Sequence, residues 1–264
     1  MSIQNIIDTF IEIITLDLIR YIWGTLSISF LLILLSKQLI KRKIQKNYPT
    51  KHQRKFEILH SFNSTIVFSV LGTAFIFVYG TPASVIASEQ SISVYAFILQ
   101  VIALAITHDT YFYWTHRAIH HKKIYKYTHT VHHKSRTPTP FTSYSFSLPE
   151  AFIQALFFTI ALQFVPMHVE ALIVYLNILM VRNAVGHSGF ELYPNWWLNS
   201  PLKFITPVTH HDIHHDRFKY NFGLHFNWWD KICKTEAPYY EARFYEATNQ
   251  YTIQTAASNI TSKL

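Results

Sequence analysis

The sequence predicts an all-α, polytopic membrane helical bundle that carries a cytoplasmic histidine-rich helical cap. Half of the 264 residues are hydrophobic and only 14% are charged, whereas a soluble domain devotes about a quarter of its residues to charge. Apolar runs long enough to cross a bilayer recur through the first two thirds of the chain. Fourteen of the 16 histidines fall from His108 to His225, leaving only His52 and His60 outside that interval, and of the fourteen only His168 sits within the second apolar region.

The elements follow in order. Ile3, Ile6, Ile7, Phe10 and Ile14 recur at helical spacing opposite Asp8, Glu12 and Asp17, which reads as an interfacial helix and not as a cleaved signal peptide. Residues 18–36, "LIRYIWGTLSISFLLILLS", hold one charge and form the first span, because about 20 helical residues cross a hydrocarbon core of about 30 Å. Eight Lys or Arg then lie between Lys37 and Lys55 with no acid among them. The positive-inside rule places that loop in the cytoplasm and the N-terminus outside. A second span over about 61–80 leads to the outer loop "TPASVIASEQ", and a third over about 92–114 brings the chain back. The runs "AFIQALFFTIALQFV" and "HVEALIVYLNILMV" flank Pro166 and give an apolar hairpin over 150–182, whose arms are short for a full crossing. Residues 115–149 and 183–264 then make the cytoplasmic cap of a single integral membrane domain.

The charge balance excludes a nucleic-acid surface. Net charge is +8, but the 37–55 loop holds eight of the 23 basic residues, leaving 15 against 15 acids elsewhere. A single basic loop between apolar runs is a topology signal. Cys233 is the one cysteine, so neither a disulfide framework nor a thiolate zinc knuckle can form. The closing Ser262-Lys263-Leu264 matches a peroxisomal matrix signal, but matrix import does not suit a polytopic chain and the match reads as coincidence.

The histidines carry the chemistry. In "HDTYFYWTHRAIHH", His116 and His120 are four apart and project from one helical face, a chelating pair. Asp109 lies two turns earlier on the same stripe, where its carboxylate would accept the second N–H of a ligating imidazole. "HTVHH" supplies His129, His132 and His133, and "HDIHH" supplies His211, His214 and His215, each triplet on one helical face. His187, in "NAVGHSGFELYP", brings the candidate ligands to nine. One tetrahedral metal takes about four ligands, so nine imidazoles imply two metals with open positions. Eight or nine neutral imidazoles buried without metal would leave many polar atoms unsatisfied. His108 and His210 adjoin the clusters off register and read as supporting residues, as do His121 and His225. Imidazole suits zinc, copper, iron and nickel alike, and the lack of carboxylate ligands sets the pattern apart from soluble four-helix di-iron proteins.

The runs "FYWTHRAIHHKKIYKYTHTVHHKSRTPTPF", "GHSGFELYP" and "HHDIHHDRFKYNFGLHFNWWDK" resemble the fatty acid hydroxylase and sterol desaturase superfamily over roughly residues 100–235. The resemblance implies a membrane non-haem di-iron oxidoreductase with two iron ions, for which zinc can substitute in a purified sample. Dioxygen would be the co-substrate, and a membrane lipid, sterol-like or fatty acyl, would be hydroxylated or desaturated. His116 and His120 match the first histidine box, His129, His132 and His133 the second, and His211, His214 and His215 the third. His187 matches the additional histidine, and Asn183 stands where some relatives place a further ligand. The chain departs from the pattern at "SFSLP", where Ser147 replaces a common histidine, and at "WDKICKT".

Six glycines form no GxGxxG, so electrons would come from a separate donor such as a ferredoxin or a small cytochrome with its reductase. Two rivals share the histidine richness. A membrane metal transporter would hold ligands near mid-span. A zinc-dependent membrane hydrolase needs three or four ligands and a carboxylate base.

Overall fold

The computed structural model describes residues 2–79, 85–86, 92–164 and 167–248. The outer loop, apart from a two-residue strand, Pro166 and the closing Ser262-Lys263-Leu264 lie outside the described residues. Most of the described residues are helical, with almost no strand. Among the described residues, four helices are long and apolar enough to cross a membrane: α1 (Ile3–Leu34), and, after the short α2 (Ser36–Leu39), α3 (Lys51–Tyr79), α4 (Val94–Ile119) and, further on, the helix Val169–Gly186.

Ser2 caps α1 by accepting the Asn5 amide, and Ser93 caps α4 by accepting that of Ala96. The N-terminal stretch and the first apolar run form one helix: α1 runs unbroken for 32 residues. Its sequence holds no proline, and Asp17 pairs with Arg20 one turn on, so these two charges are matched along the helix. The basic loop ends at Thr50, whose Oγ1 accepts the Gln53 amide, so α3 starts well before the apolar run.

After α4 come two single turns, α5 (Tyr125–Thr128) and α6 (Thr130–His133), then a 3-10 turn at Pro140–Tyr144. The apolar hairpin is α7 (Leu148–Phe164) and α8 (Val169–Gly186). Its turn carries β2 (Met167–His168), which pairs in parallel with β1 (Val85–Ile86) of the loop joining α3 to α4. The His168 amide also donates to Gln100 Oε1, 2.9 Å away in the second turn of α4. The hairpin therefore reaches the end of the bundle where α4 begins, opposite the histidines. The remainder folds as α9 (Val208–Arg217), α10 (Trp228–Ile232) and α11 (Tyr240–Ala247).

Two apolar cores hold the bundle. Tyr21, Ile28, Tyr144, Phe146, Met180 and Ala184 join α1 to α8 and the 3-10 turn. Leu104, Phe112, Phe157, Tyr175 and Leu179 join α4 to the hairpin. A third cluster, around Leu198, Ile213, Tyr240 and Phe244, packs α11 against α9. Outside these cores, Ile22, Trp23, Leu26 and Phe30 on α1 and Ile98, Leu99 and Ile102 on α4 are exposed. An apolar surface of that extent is suited to lipid.

Candidate metal centre

Nine histidines converge at the end of the bundle where α4 stops. They form two groups: His116, His120, His129, His133 and His214 in one, His132, His187, His211 and His215 in the other, with the potential ligand atoms of each group within 4.8 Å of one another. The groups adjoin, for the His133 ring lies 4.9 Å from that of His215 and the His129 ring 5.1 Å from that of His132.

Helical geometry distributes the side chains. His116 sits in the last turn of α4 and His120 caps it, an i, i+4 pair as expected. The two triplets do not each serve one face. His129 and His133, four apart, join the five-histidine group while His132 turns away into the other. In α9 the split reverses, with His211 and His215 in the four-histidine group and His214 in the five. Residues i and i+4 lie about 40° apart on a helix and i+3 lies about 60° to the other side. Each group thus takes the i, i+4 pair of one triplet and the middle residue of the other.

The inward atoms are Nε2. His116 and His129 present Nε2 atoms 2.9 Å apart, His133 and His214 3.0 Å, His187 and His211 3.0 Å, and His211 and His215 3.2 Å. Metal–nitrogen bonds of about 2.0–2.1 Å at tetrahedral or octahedral angles put neighbouring ligand atoms roughly 2.9–3.4 Å apart. Behind the rings, Nδ1–H of His116 donates to the Phe222 carbonyl, that of His187 to Asn183, that of His214 to Tyr220 and that of His215 to Ser135, at 2.7–2.9 Å. A carbonyl can only accept, so each of these bonds assigns the proton to Nδ1 and leaves the Nε2 lone pair pointing inward. Lone pairs at such separations repel one another, and a cation between them removes the repulsion. The donor set therefore fits two metal ions of the kind imidazole binds.

Electrostatics agree. Burial, then repulsion from His116, lowers His120 to about 2, and burial lowers His187 to about 4. Burial, reinforced by the neighbouring imidazoles, likewise holds His129, His132, His133, His211, His214 and His215 well below the usual histidine range. Neutral imidazole is the ligand form.

The supporting residues differ from expectation. Asp109 contacts no imidazole nitrogen of the nine: its Oδ1 accepts the amides of Leu224, His225 and Phe226, because the second N–H of His116 is already taken by the Phe222 carbonyl. Asn183 supports His187 through its backbone carbonyl. His108 hydrogen bonds to the Tyr175 hydroxyl, which also meets His225 Nε2, a chain within the α4–α8 core. His210 lies 3.4 Å from Asp230, and His121 is exposed. Phe218, which ends α9 with a left-handed φ of 65°, lays its ring 4.6 Å from that of His133.

Sequence reasoning missed Glu150. Fully buried in the first turn of α7, it places Oε1 2.6 Å from His129 Nδ1, at an angle outside hydrogen-bond geometry. A carboxylate behind an imidazole raises its basicity. The available signal was that no other acid stands between Asp109 and Glu170. An acid in a first helical turn otherwise reads as a partner of the helix dipole. Ser147, the departure from the family pattern, hydrogen bonds to the Thr128 carbonyl and accepts the Glu150 amide, so it ties α7 to α5.

The sequence model for fatty acid hydroxylase matches residues 100–235, which contain all nine histidines. Methylsterol monooxygenase 1 of Rattus norvegicus is 32% identical over 149 residues, 55% of this chain and 49% of that protein. Lathosterol oxidase of Rattus norvegicus is 35% identical over 138 residues, 51% of this chain and 44% of its own length. A delta(7)-sterol 5(6)-desaturase of Gibberella zeae is 29% identical over 228 residues, 85% of this chain and 63% of that protein. The chain spans about half the length of the first two relatives. No solved structure matches it.

Proposed function

The chain belongs to the fatty acid hydroxylase family, and from that premise we propose that it is a membrane-bound di-iron oxidoreductase. It uses dioxygen and externally supplied electrons to hydroxylate or desaturate a lipid, sterol-like or fatty acyl. The observation that carries this reading is the pair of adjoining all-imidazole groups, five and four histidines, with Nε2 lone pairs turned inward. His116, His120, His129, His133 and His214 hold one iron, and His132, His187, His211 and His215 the other. The named activities of the relatives, sterol oxidation and desaturation, support a sterol-like substrate.

Bound iron supplies the redox steps that couple reduction of dioxygen to oxidation of an unactivated C–H bond. The protein's own residues do the rest. The Nδ1–H bonds to the carbonyls of Phe222, Tyr220, Ser135 and Asn183 fix each ring's tautomer and direction. Glu150 backs His129 from the far side, its Oε1 2.6 Å from that ring's Nδ1. Burial of the nine rings keeps bulk water from the reacting centre, and the apolar spans let a lipid approach from the bilayer side. Electrons come from a separate ferredoxin or small cytochrome with its reductase. The basic 37–55 loop supports a cytoplasmic position for the metal centre.

The test is a comparison of membrane lipid extracts from cells expressing the wild type or a His132→Ala, His214→Ala variant, by mass spectrometry. A lipid that gains one oxygen or loses two hydrogens only with the wild type, and only with dioxygen and reductant, is the expected result. Zinc as the sole bound metal, with no reductant-dependent oxygen uptake, would sink the reading in favour of a hydrolase.

A further inference from the structure

Two buried carboxylates grip one loop. The amides of Phe222 and Gly223 donate to the two oxygens of Asp230, at 2.9 and 2.8 Å, and those of Leu224, His225 and Phe226 to Asp109 Oδ1, at 3.2, 2.6 and 3.2 Å. Five successive backbone donors are thus spent on two anions, both fully buried. The curl has no room for a side chain at its centre, since a Cβ on Gly223 would fall 2.2 Å from the Phe226 carbonyl oxygen and 3.0 Å from Asp230 Oδ2. Asn221, at a left-handed φ of 59°, fixes the entry by donating to the His210 carbonyl and accepting the Ala237 amide.

The same stretch presents two carbonyls outward. Phe222 accepts from His116 Nδ1 at 2.9 Å and Tyr220 from His214 Nδ1 at 2.7 Å. Both imidazoles belong to the five-histidine group. The four-histidine group leans on other segments, the Ser135 carbonyl for His215, Ser145 for His132 and Asn183 for His187. Asp109 and His116 stand on the same stripe of α4, so the helix that supplies the imidazole also anchors the loop that aims it.

We propose that Asp109 and Asp230 are positioning residues for one of the two metal sites, acting through the 220–226 backbone on His116 and His214. The proposal rests on the two-metal reading above. Charge-assisted bonds to backbone amides are about twice as strong as neutral ones, so the loop holds its carbonyls against the pull of a bound cation on the rings. Loss of the anion lets the loop relax, the two Nδ1 donors lose fixed partners, and affinity falls at that site alone.

The experiment is a titration of cobalt(II) into purified, metal-free full-length protein, following stoichiometry and affinity by absorbance. The wild type binds two equivalents. In Asp109→Asn, which keeps an acceptor but loses the charge, one equivalent is unchanged and the other weakens. In Asp109→Ala the same equivalent weakens further, by about 10–100-fold in all, the range usual for loss of a group supporting a ligand. Retention of one tight equivalent shows that the variant is folded. In a His211→Ala background, where the four-histidine group is already impaired, Asp109→Ala removes the remaining tight site. Equal weakening of both equivalents, or two unchanged ones, would overturn the positioning role. A wild type that binds fewer than two would overturn the two-metal reading and this proposal with it.

Discussion

Nε2 is the atom that nine imidazoles turn toward one another, and the physical reason is what lies behind them. Backbone carbonyls occupy Nδ1 of His116, His187, His214 and His215, so tautomer and aim are set before any ion arrives. This has a pH consequence for the metal-free protein. Burial depresses His120 to about 2 and His187 to about 4, whereas in the unfolded chain both titrate near 6.5. Between those values the unfolded chain binds more protons, so the stability present above about pH 6.5 is lost as pH falls, by about 1.4 kcal/mol per pH unit for each such imidazole. A melting curve of the metal-free protein should be flat above about pH 7 and shift steeply downward below 6.5. An unchanged midpoint down to pH 5 would contradict it. For single substitutions, His132→Ala and His214→Ala should each abolish turnover and lower bound metal, while His168→Ala, at the far end of the hairpin, should change neither. The gathering of the nine histidines was legible because the HxxxH and HxxHH spacings have few uses other than metal binding. The division of each triplet between two groups was not, because spacing fixes a direction on one helix and the partner comes from packing. Asp109 illustrates the same limit: its stripe was readable, but the loop that claims it comes from more than a hundred residues downstream.

At the scale of elements, apolar run length foretold the long helices, and what it missed were their ends. α4 continues past the expected end of its span at about 114, where Tyr113 and His116 pack against the Phe222 ring. α1 extends back to Ile3, well before the apolar run. Its contact with α8 depends on Gly24, where an added Cβ would lie 2.6 Å from Met180 Cγ. Gly24→Leu should therefore overpack the first core and lower stability by about 1–3 kcal/mol, read as a reduced melting temperature in detergent with metal content per folded chain intact. Equal melting temperatures would show that the two helices can part without cost. The hairpin was read as short because fifteen-residue arms fall below a full crossing. The pairing of β2 with the α3–α4 loop carries its turn to the opposite end of the bundle all the same.

For the whole molecule, chemistry and topology meet at one pole. The basic 37–55 loop approaches the same end as the histidines: Arg42 Nε donates to the Glu191 carbonyl at 2.6 Å, and Gln45 donates to that of Arg136 at 2.8 Å. If that pole is cytoplasmic, single cysteines introduced at Lys46, Lys122 and Lys203 in a Cys233→Ser background will react with an impermeant reagent only from the cytoplasmic face, and one at Gln4 only from outside. Labelling of Lys122→Cys from the outer face would invert the topology. Two irons held by two separate histidine groups set the iron content per chain, to be measured in three proteins purified in parallel. About two are expected in the wild type, about one in the double variant His133→Ala, His214→Ala, and about one in the double variant His211→Ala, His215→Ala. A single iron in the wild type, or its complete loss from either double variant, would contradict it.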